Sequence, residues 1–396
     1  LIFPGLIDDQ VHFREPGSTH KGCIESESKA AVLGGVTSFM DMPNNNPPIT
    51  SNLLLENKYR IAQEKSFANY TFYIGADNSN IDELSKVDRK NVCGIKVFMG
   101  SSTGNMLVDN IDSLNKIFSI NNFTIATHCE EEKIIKVNLE SAKIKYGDQI
   151  PFASHSTIRS REACIASTKK AIDLAIKHNT KLHILHISTK EEVELIREAK
   201  KMNPNISAET CVHYLFLNSG DYEIFGGKIK CNPSIKDESD RLAIINGVLE
   251  GVIEVIATDH APHTIEEKSE NYLSCTSVLP LVQHSLQIMM ELCKDGFFTY
   301  EELVRKMCHA PAKVFGIEQR GYIKEGYYAD ITVIDPLRAD VLTTKKPSYL
   351  CGWSPFENLA FSSSVLHTFV NGVQVVENGK LTGRKNSKRL KFNYEF

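Results

Sequence analysis

The sequence predicts an α/β protein: a (β/α)8 barrel of the TIM type, followed by a small β-rich appendage. Three observations carry this. Eight short apolar, β-rich runs alternate with longer stretches whose apolar residues fall at helical spacing. No glycine-rich phosphate loop follows the first run, which argues against a doubly wound open sheet. From about residue 320 the texture changes to alternating strands with turns.

The runs are, in order, GLIDDQVHF (5–13), VTSFMDM (36–42), NYTFYIG (69–75), CGIKVF (93–98), FTIATH (123–128), KLHILHI (181–187), NISAETC (205–211) and VIEVIATD (252–259). Stretches such as SKAAVLGG, LLLENKYRIAQEK, ACIASTKKAIDLAIKH and KEEVELIREAKKM lie between them. The division expected is a barrel over 1–318 and an appendage over 319–396. The appendage contains GYYADITVIDP and VLHTFVNGVQVVENGKL, with an Asn-Gly hairpin turn at Asn371-Gly372. Alone it looks like part of a sandwich. The chain starts at Leu1 rather than Met, and a missing upstream segment is expected to supply the rest.

Composition removes several classes of function. The chain has 396 residues, enough for a large core, with a formal charge of −4 and 24% charged residues. That balance does not suggest nucleic acid or a membrane surface as a partner. The basic stretch GRKNSKRLK near the C-terminus reads as a solvated tail. No apolar run approaches the roughly 20 residues of a membrane span. The ten cysteines are scattered without a Cys-x-x-Cys pair, which in so long a chain reads as reduced, cytoplasmic thiol. No signal peptide is evident.

Barrel enzymes of this kind act at the C-terminal ends of their strands. Those ends carry Gln10, His12 and Arg14 on the first run, Asn44 after the second, Lys96 on the fourth and His128 on the fifth. The sixth offers His186, the seventh Glu209, and the eighth Asp259 with His260 and His263 just beyond. Singly each has a plain structural explanation. A lone histidine packs, a lysine snorkels, and an aspartate caps a helix. Together they put ligand and acid–base chemistry on one rim. Gln10 and His12 stand two apart, so a strand turns both to one side. An inward lysine deprotonated by burial can add CO2 and become an anionic carbamate able to bridge two metals. Lys96, His128 and His186 would then form one zinc-like site, and Lys96, His12 and Asp259 a second.

With these residues in view, the chain resembles the dihydroorotases of the amidohydrolase superfamily. PGLIDDQVHFREPG, DMPNNNPP, GIKVFMGSSTGNM, ATHCEE, LHILHIST, ETCVHYLFL, CNPSIK and ATDHAPHTIEEK stand in the family's order, from about Pro4 to about Leu381. The closest likeness is to a bacterial branch that writes Asp-Gln-Val-His where most members write Asp-x-His-x-His. The resemblance implies a metal-bearing barrel with a β-sandwich built from both chain ends. It places His12, Lys96 (carboxylated), His128, His186 and Asp259 at metal positions, with Asp259 also the proton shuttle. It places Arg14, Asn44 and His263 on the substrate's carboxylate and Asn232 beside the pyrimidine ring. Gln10 replaces a histidine ligand, leaving at most a weak contact and making one or two zinc ions per chain the expectation.

The activity implied is the reversible, metal-dependent cyclisation of N-carbamoyl-L-aspartate to L-dihydroorotate and water, a step of pyrimidine biosynthesis. Allantoinases and hydantoinases share the superfamily, but their substrates lack the ring carboxylate that an Arg/Asn pair would hold. A non-catalytic homologue that scaffolds another enzyme is the alternative from a different class, and Gln10 is its only support. The partner expected is a small molecule, in a cytoplasmic protein without nucleic acid or membrane contacts, and the resemblance allows a homodimer.

Overall fold

Eight parallel strands close into a barrel in the computed structural model, which describes residues 1–100, 106–121, 123–341, 347–357 and 359–393, without the side chains of 340 and 341. Residues 101–105 of the quoted GIKVFMGSSTGNM run lie outside the described residues.

The barrel strands are Leu6–Val11, Val36–Asp41, Asn69–Phe72 with Ile74–Gly75, Ile95–Phe98, Thr124–His128, Lys181–Ile184, Ser207–Cys211 and Val255–Ala257. Each falls inside one of the eight predicted runs. Neighbours pair in parallel. The third run breaks at Tyr73: its first half pairs back to Val36–Asp41 and its second half forward to Ile95–Phe98. A parallel bridge between Val11 and His260 closes the ring, with the His12 amide donating to the His260 carbonyl at 2.7 Å. Most of these strands are buried along their whole length, as expected where helices cover one face of a parallel sheet and side chains fill the other.

The end of the barrel away from the strands' C-termini is plugged by apolar side chains. Ile7, Met40 and Tyr73 meet Phe315, Leu390 and Phe392 there. This corrects the reading of GRKNSKRLK as a solvated tail. Leu390 and Phe392 are fully buried, and backbone bonds tie Lys388 and Leu390 to Tyr70. The Arg389 guanidinium lies 3.3 Å from the centroid of the Tyr59 ring and pairs with Glu56. The cause is alternation: the basic residues face outward while the apolar residues between them turn in.

The appendage is a five-stranded antiparallel sheet in the order Ile2–Pro4, Ile331–Asp335, Ser364–Val370, Val373–Glu377, Lys380–Leu381. Both chain ends therefore contribute to it, since Ile2–Pro4 precedes the first barrel strand. The hairpin at Asn371-Gly372 has φ of 49° and 80°, as a turn of the primed type demands.

Candidate active site

The strand ends converge on a cavity of about 260 Å³. Ten of the twelve residues singled out in the sequence line it: Gln10, His12, Arg14, Asn44, Lys96, His128, His186, Asn232, Asp259 and His263. Three of them, Arg14, His186 and Asp259, have φ of 66°, 42° and 51°. Such left-handed conformations cost free energy in non-glycine residues and concentrate at functional sites.

Lys96 is 1% exposed, and burial lowers its amine to about 7, with the Asp259 and Glu209 carboxylates pulling the other way. An amine with that value is substantially neutral near pH 7, the form that adds CO2.

Two pairs of polar atoms line the same cavity. His128 Nδ1 lies 2.9 Å from His186 Nε2. The other nitrogen of His128 is 2.9 Å from Glu130 Oε2, and Arg159 holds Glu130 through Nε and Nη2. Burial alone would raise the Glu130 carboxyl, but Arg159 and His128 hold it well below its usual range. The ionised carboxylate accepts the proton of His128 Nε2 and leaves the Nδ1 lone pair aimed at His186, an arrangement that orients a metal-ligating histidine. Glu130 and Arg159 were not singled out in the sequence, although ATHCEE set an acid two residues after the histidine.

The second pair is His12 and Asp259. His12 Nε2 lies 3.0 Å from Asp259 Oδ1, and His12 Nδ1 lies 2.7 Å from Asn44 Oδ1. A neutral imidazole donates from one nitrogen only. With Nδ1–H given to Asn44, the Nε2 lone pair and the Asp259 oxygen face one another as two acceptors, an arrangement that a cation between them satisfies. These donors, in two groups within the cavity that Lys96 also lines, therefore fit a divalent metal. Gln10 turns to the same side, as strand alternation requires, but its amide nitrogen donates to Asp259 Oδ1 at 3.1 Å. Burial would raise the Asp259 carboxyl; His12, His186 and His213 together hold it below its ordinary value.

Across the cavity Arg14 is half-buried, and the desolvation of its guanidinium lowers it to about 10. Its Nε donates to the Pro262 carbonyl at 3.0 Å and its Nη2 meets His263 Nε2 at 2.9 Å. His263 Nδ1 donates to Glu267 at 3.0 Å, the Lys21 ammonium lies 3.2 Å from the same nitrogen and pairs with Glu267, and burial beside the Arg14 and Lys21 cations drives the protonation of His263 far down. Lys21 was not foreseen. Two other rim residues face away from the cavity. His260 bonds Glu27 at 2.8 Å and accepts the Leu281 amide. Glu209 joins Asp9 and His183 in a fully buried group whose ligand atoms lie within 4.8 Å of one another, which gives it the donor chemistry to hold an ion. Burial and the neighbouring Asp9 push the Glu209 carboxyl up. The spacing of the two histidines in HILH was the available signal for His183.

The amidohydrolase family profile matches residues 1–375. The chain belongs to the amidohydrolase family. It is 32% identical over 372 residues to a dihydroorotase of Methanosphaera stadtmanae, covering 94% of this chain and 84% of that protein. It is also 32% identical over 396 residues to a dihydroorotase of Pyrococcus furiosus, covering 98% and 85%. An allantoinase of Deinococcus radiodurans is 29% identical over 406 residues, covering 98% and 88%. In fold, this amidohydrolase superimposes on an L-hydantoinase from Arthrobacter aurescens with a TM-score of 0.94 at 24% identity, over 99% of this chain and 89% of that one. Among the described residues no helix is long and apolar enough to cross a membrane.

Proposed function

We propose that this amidohydrolase is a dihydroorotase, interconverting N-carbamoyl-L-aspartate and L-dihydroorotate. The observation that carries the reading is the half-buried Arg14 guanidinium, fixed at Nε and Nη2 on the cavity wall beside His263. A planar fork of that kind suits a carboxylate. Dihydroorotate carries one on its ring; allantoin and simple hydantoins do not. Arg14, Asn44 and His263 hold this carboxylate in the proposal, and Asn232 contacts the ring.

The metal residues are proposed as His12, Lys96 in its carboxylated form, His128, His186 and Asp259. Zinc is the proposed metal, at one or two positions, with the Gln10 side the weaker. When bound, such a metal supplies Lewis-acid polarisation of a carbonyl and acidifies water. Asp259, kept ionised by its histidine neighbours, takes the proton of the attacking water at Oδ1 or Oδ2 and delivers it to the leaving ring nitrogen. In the cyclising direction Asp259 takes the proton from the ureido nitrogen as that nitrogen attacks the side-chain carboxyl carbon, and passes it to the carboxyl oxygen that departs as the C–O bond breaks. A cytoplasmic location agrees with ten cysteines that form no disulfide. A homodimer is the assembly to test.

The deciding experiment measures turnover of L-dihydroorotate, allantoin and hydantoin by purified, zinc-loaded protein. Dihydroorotate should be opened with the highest kcat/KM. Preference for allantoin or hydantoin would move the chain to another branch of the family, and no turnover of any would favour a scaffolding homologue.

A further inference from the structure

One wall of the cavity consists of Thr276, Ser277 and Val278, which form no helix or strand of their own. Val278 has φ of +95°, a conformation that a β-branched residue rarely adopts. Surrounding contacts must over-determine a backbone held in that way. The contacts that do so centre on one side chain. Lys268 is 2% exposed, and its ammonium donates to three main-chain carbonyls: Thr276 at 2.9 Å, Val278 at 3.0 Å and Lys230 at 3.0 Å. An ammonium has three N–H donors and no acceptor, so these carbonyls use its full capacity. Val278 N–H returns a bond to the Lys230 carbonyl at 2.8 Å. The Lys230 ammonium in turn bonds the carbonyls of Tyr272 and Cys275, at 2.7 and 2.6 Å.

Three segments meet at the Lys268 ammonium. Its own segment carries His263 five residues upstream. The Lys230 carbonyl lies two residues before Asn232. The third segment is the wall itself. A buried charge without a carboxylate partner is costly, and burial lowers this amine to about 8. Leucine or methionine would pack more cheaply there, but neither could gather three carbonyls.

We propose that Lys268 is a positioning residue for the substrate: its ammonium holds the 276–278 wall at a set distance from Asn232 and thereby determines how tightly the ring is bound, without touching the reacting atoms. The inference rests on the reading of this cavity as the substrate site. Its test has one arm that does not depend on that reading.

In the zinc-loaded full chain, Lys268→Met should raise KM for dihydroorotate about tenfold or more, because charge-assisted hydrogen bonds are lost, while kcat stays within about threefold. Lys268→Arg keeps the charge and the donors and should return KM most of the way, which a requirement for lysine packing alone would not do. Amide hydrogen exchange supplies the independent arm. Exchange in residues 272–279 should quicken at least about tenfold in Lys268→Met, with the barrel strands unchanged. Unchanged exchange in that segment overturns the proposal, and so does a loss confined to kcat. If wild-type protein does not turn over dihydroorotate, the substrate reading fails while the exchange arm still decides the role of Lys268. If Lys268→Met does not fold, the same two measurements on Lys268→Gln replace it.

Discussion

Gln10 Nε2 donates to Asp259 Oδ1 at 3.1 Å, and His12 Nε2 lies 3.0 Å from the same oxygen. The glutamine thus stands where a ligand would be expected, but it serves the carboxylate rather than completing a metal's shell. Its amide is a weaker donor to a metal than imidazole. In the wild type, metal affinity should therefore be asymmetric. The Lys96/His128/His186 position should resist a chelator that empties the His12/Asp259 position. Gln10→His should tighten the weaker position without altering substrate choice, read by zinc titration with activity alongside. Two equally tight positions that ignore the substitution would show Gln10 to be a bystander.

The same hydrogen bond predicts a catalytic effect separate from metal affinity. Gln10→Leu keeps the volume but removes the donor that orients Asp259. A bond to a charged group is worth about 1.5–3 kcal/mol, so kcat should fall roughly tenfold or more at saturating zinc. An unchanged kcat at full metal occupancy would show that His12 suffices to hold Asp259.

Lys96 yields a prediction with a pH sign. Its folded-state value of about 7 lies below the ordinary 10.5 because burial penalises the ammonium. Between those values the unfolded chain binds more protons at this residue, so its contribution to stability improves as pH rises from 7 toward 10.5 and is worst below 7. Carboxylation needs the neutral amine. Reactivation of metal-free protein by zinc and bicarbonate should therefore be faster at pH 8 than at pH 6. Lys96→Ala should lose metal and activity, with partial recovery on adding short carboxylic acids and zinc. Equal reactivation rates at the two pH values would count against a carbamate.

Glu130→Gln tests the orientation of His128. The ring would lose its carboxylate acceptor, and metal affinity at that position should fall about 10- to 100-fold. Arg159 would be left without its anion in a buried place, so the melting temperature should drop too, by the equivalent of about 3–5 kcal/mol. Metal content by mass spectrometry under native conditions separates the two effects. Full metal retention in a folded variant would refute the orienting role.

Arg14→Lys keeps the charge and discards the planar fork. KM for dihydroorotate should rise roughly 10- to 100-fold with a smaller change in kcat. An equal loss in KM and kcat would put Arg14 nearer the chemistry than the ring carboxylate.

Much of this protein was legible in its residues. Alternating runs and helical stretches named the barrel, because a strand buried on both faces must be apolar almost throughout, and that pattern needs no partner to be seen. Strand alternation also set Gln10 and His12 on one side. What the chain alone could not show depended on which elements meet. Glu130 and Arg159 are 29 residues apart and become one orienting unit only when the barrel brings them together. Lys268 looks like an ordinary surface lysine until three carbonyls from two other segments close around it. GRKNSKRLK looked solvated because its charges outnumber its apolar residues, and only the open end of the barrel gave Leu390 and Phe392 somewhere to go. Residue type and local period determined the fold class and the ring of candidate groups. The tertiary structure decided which of them face the cavity, which hydrogen-bond to each other, and which hold the walls, because those depend on distances across the barrel that no local pattern encodes.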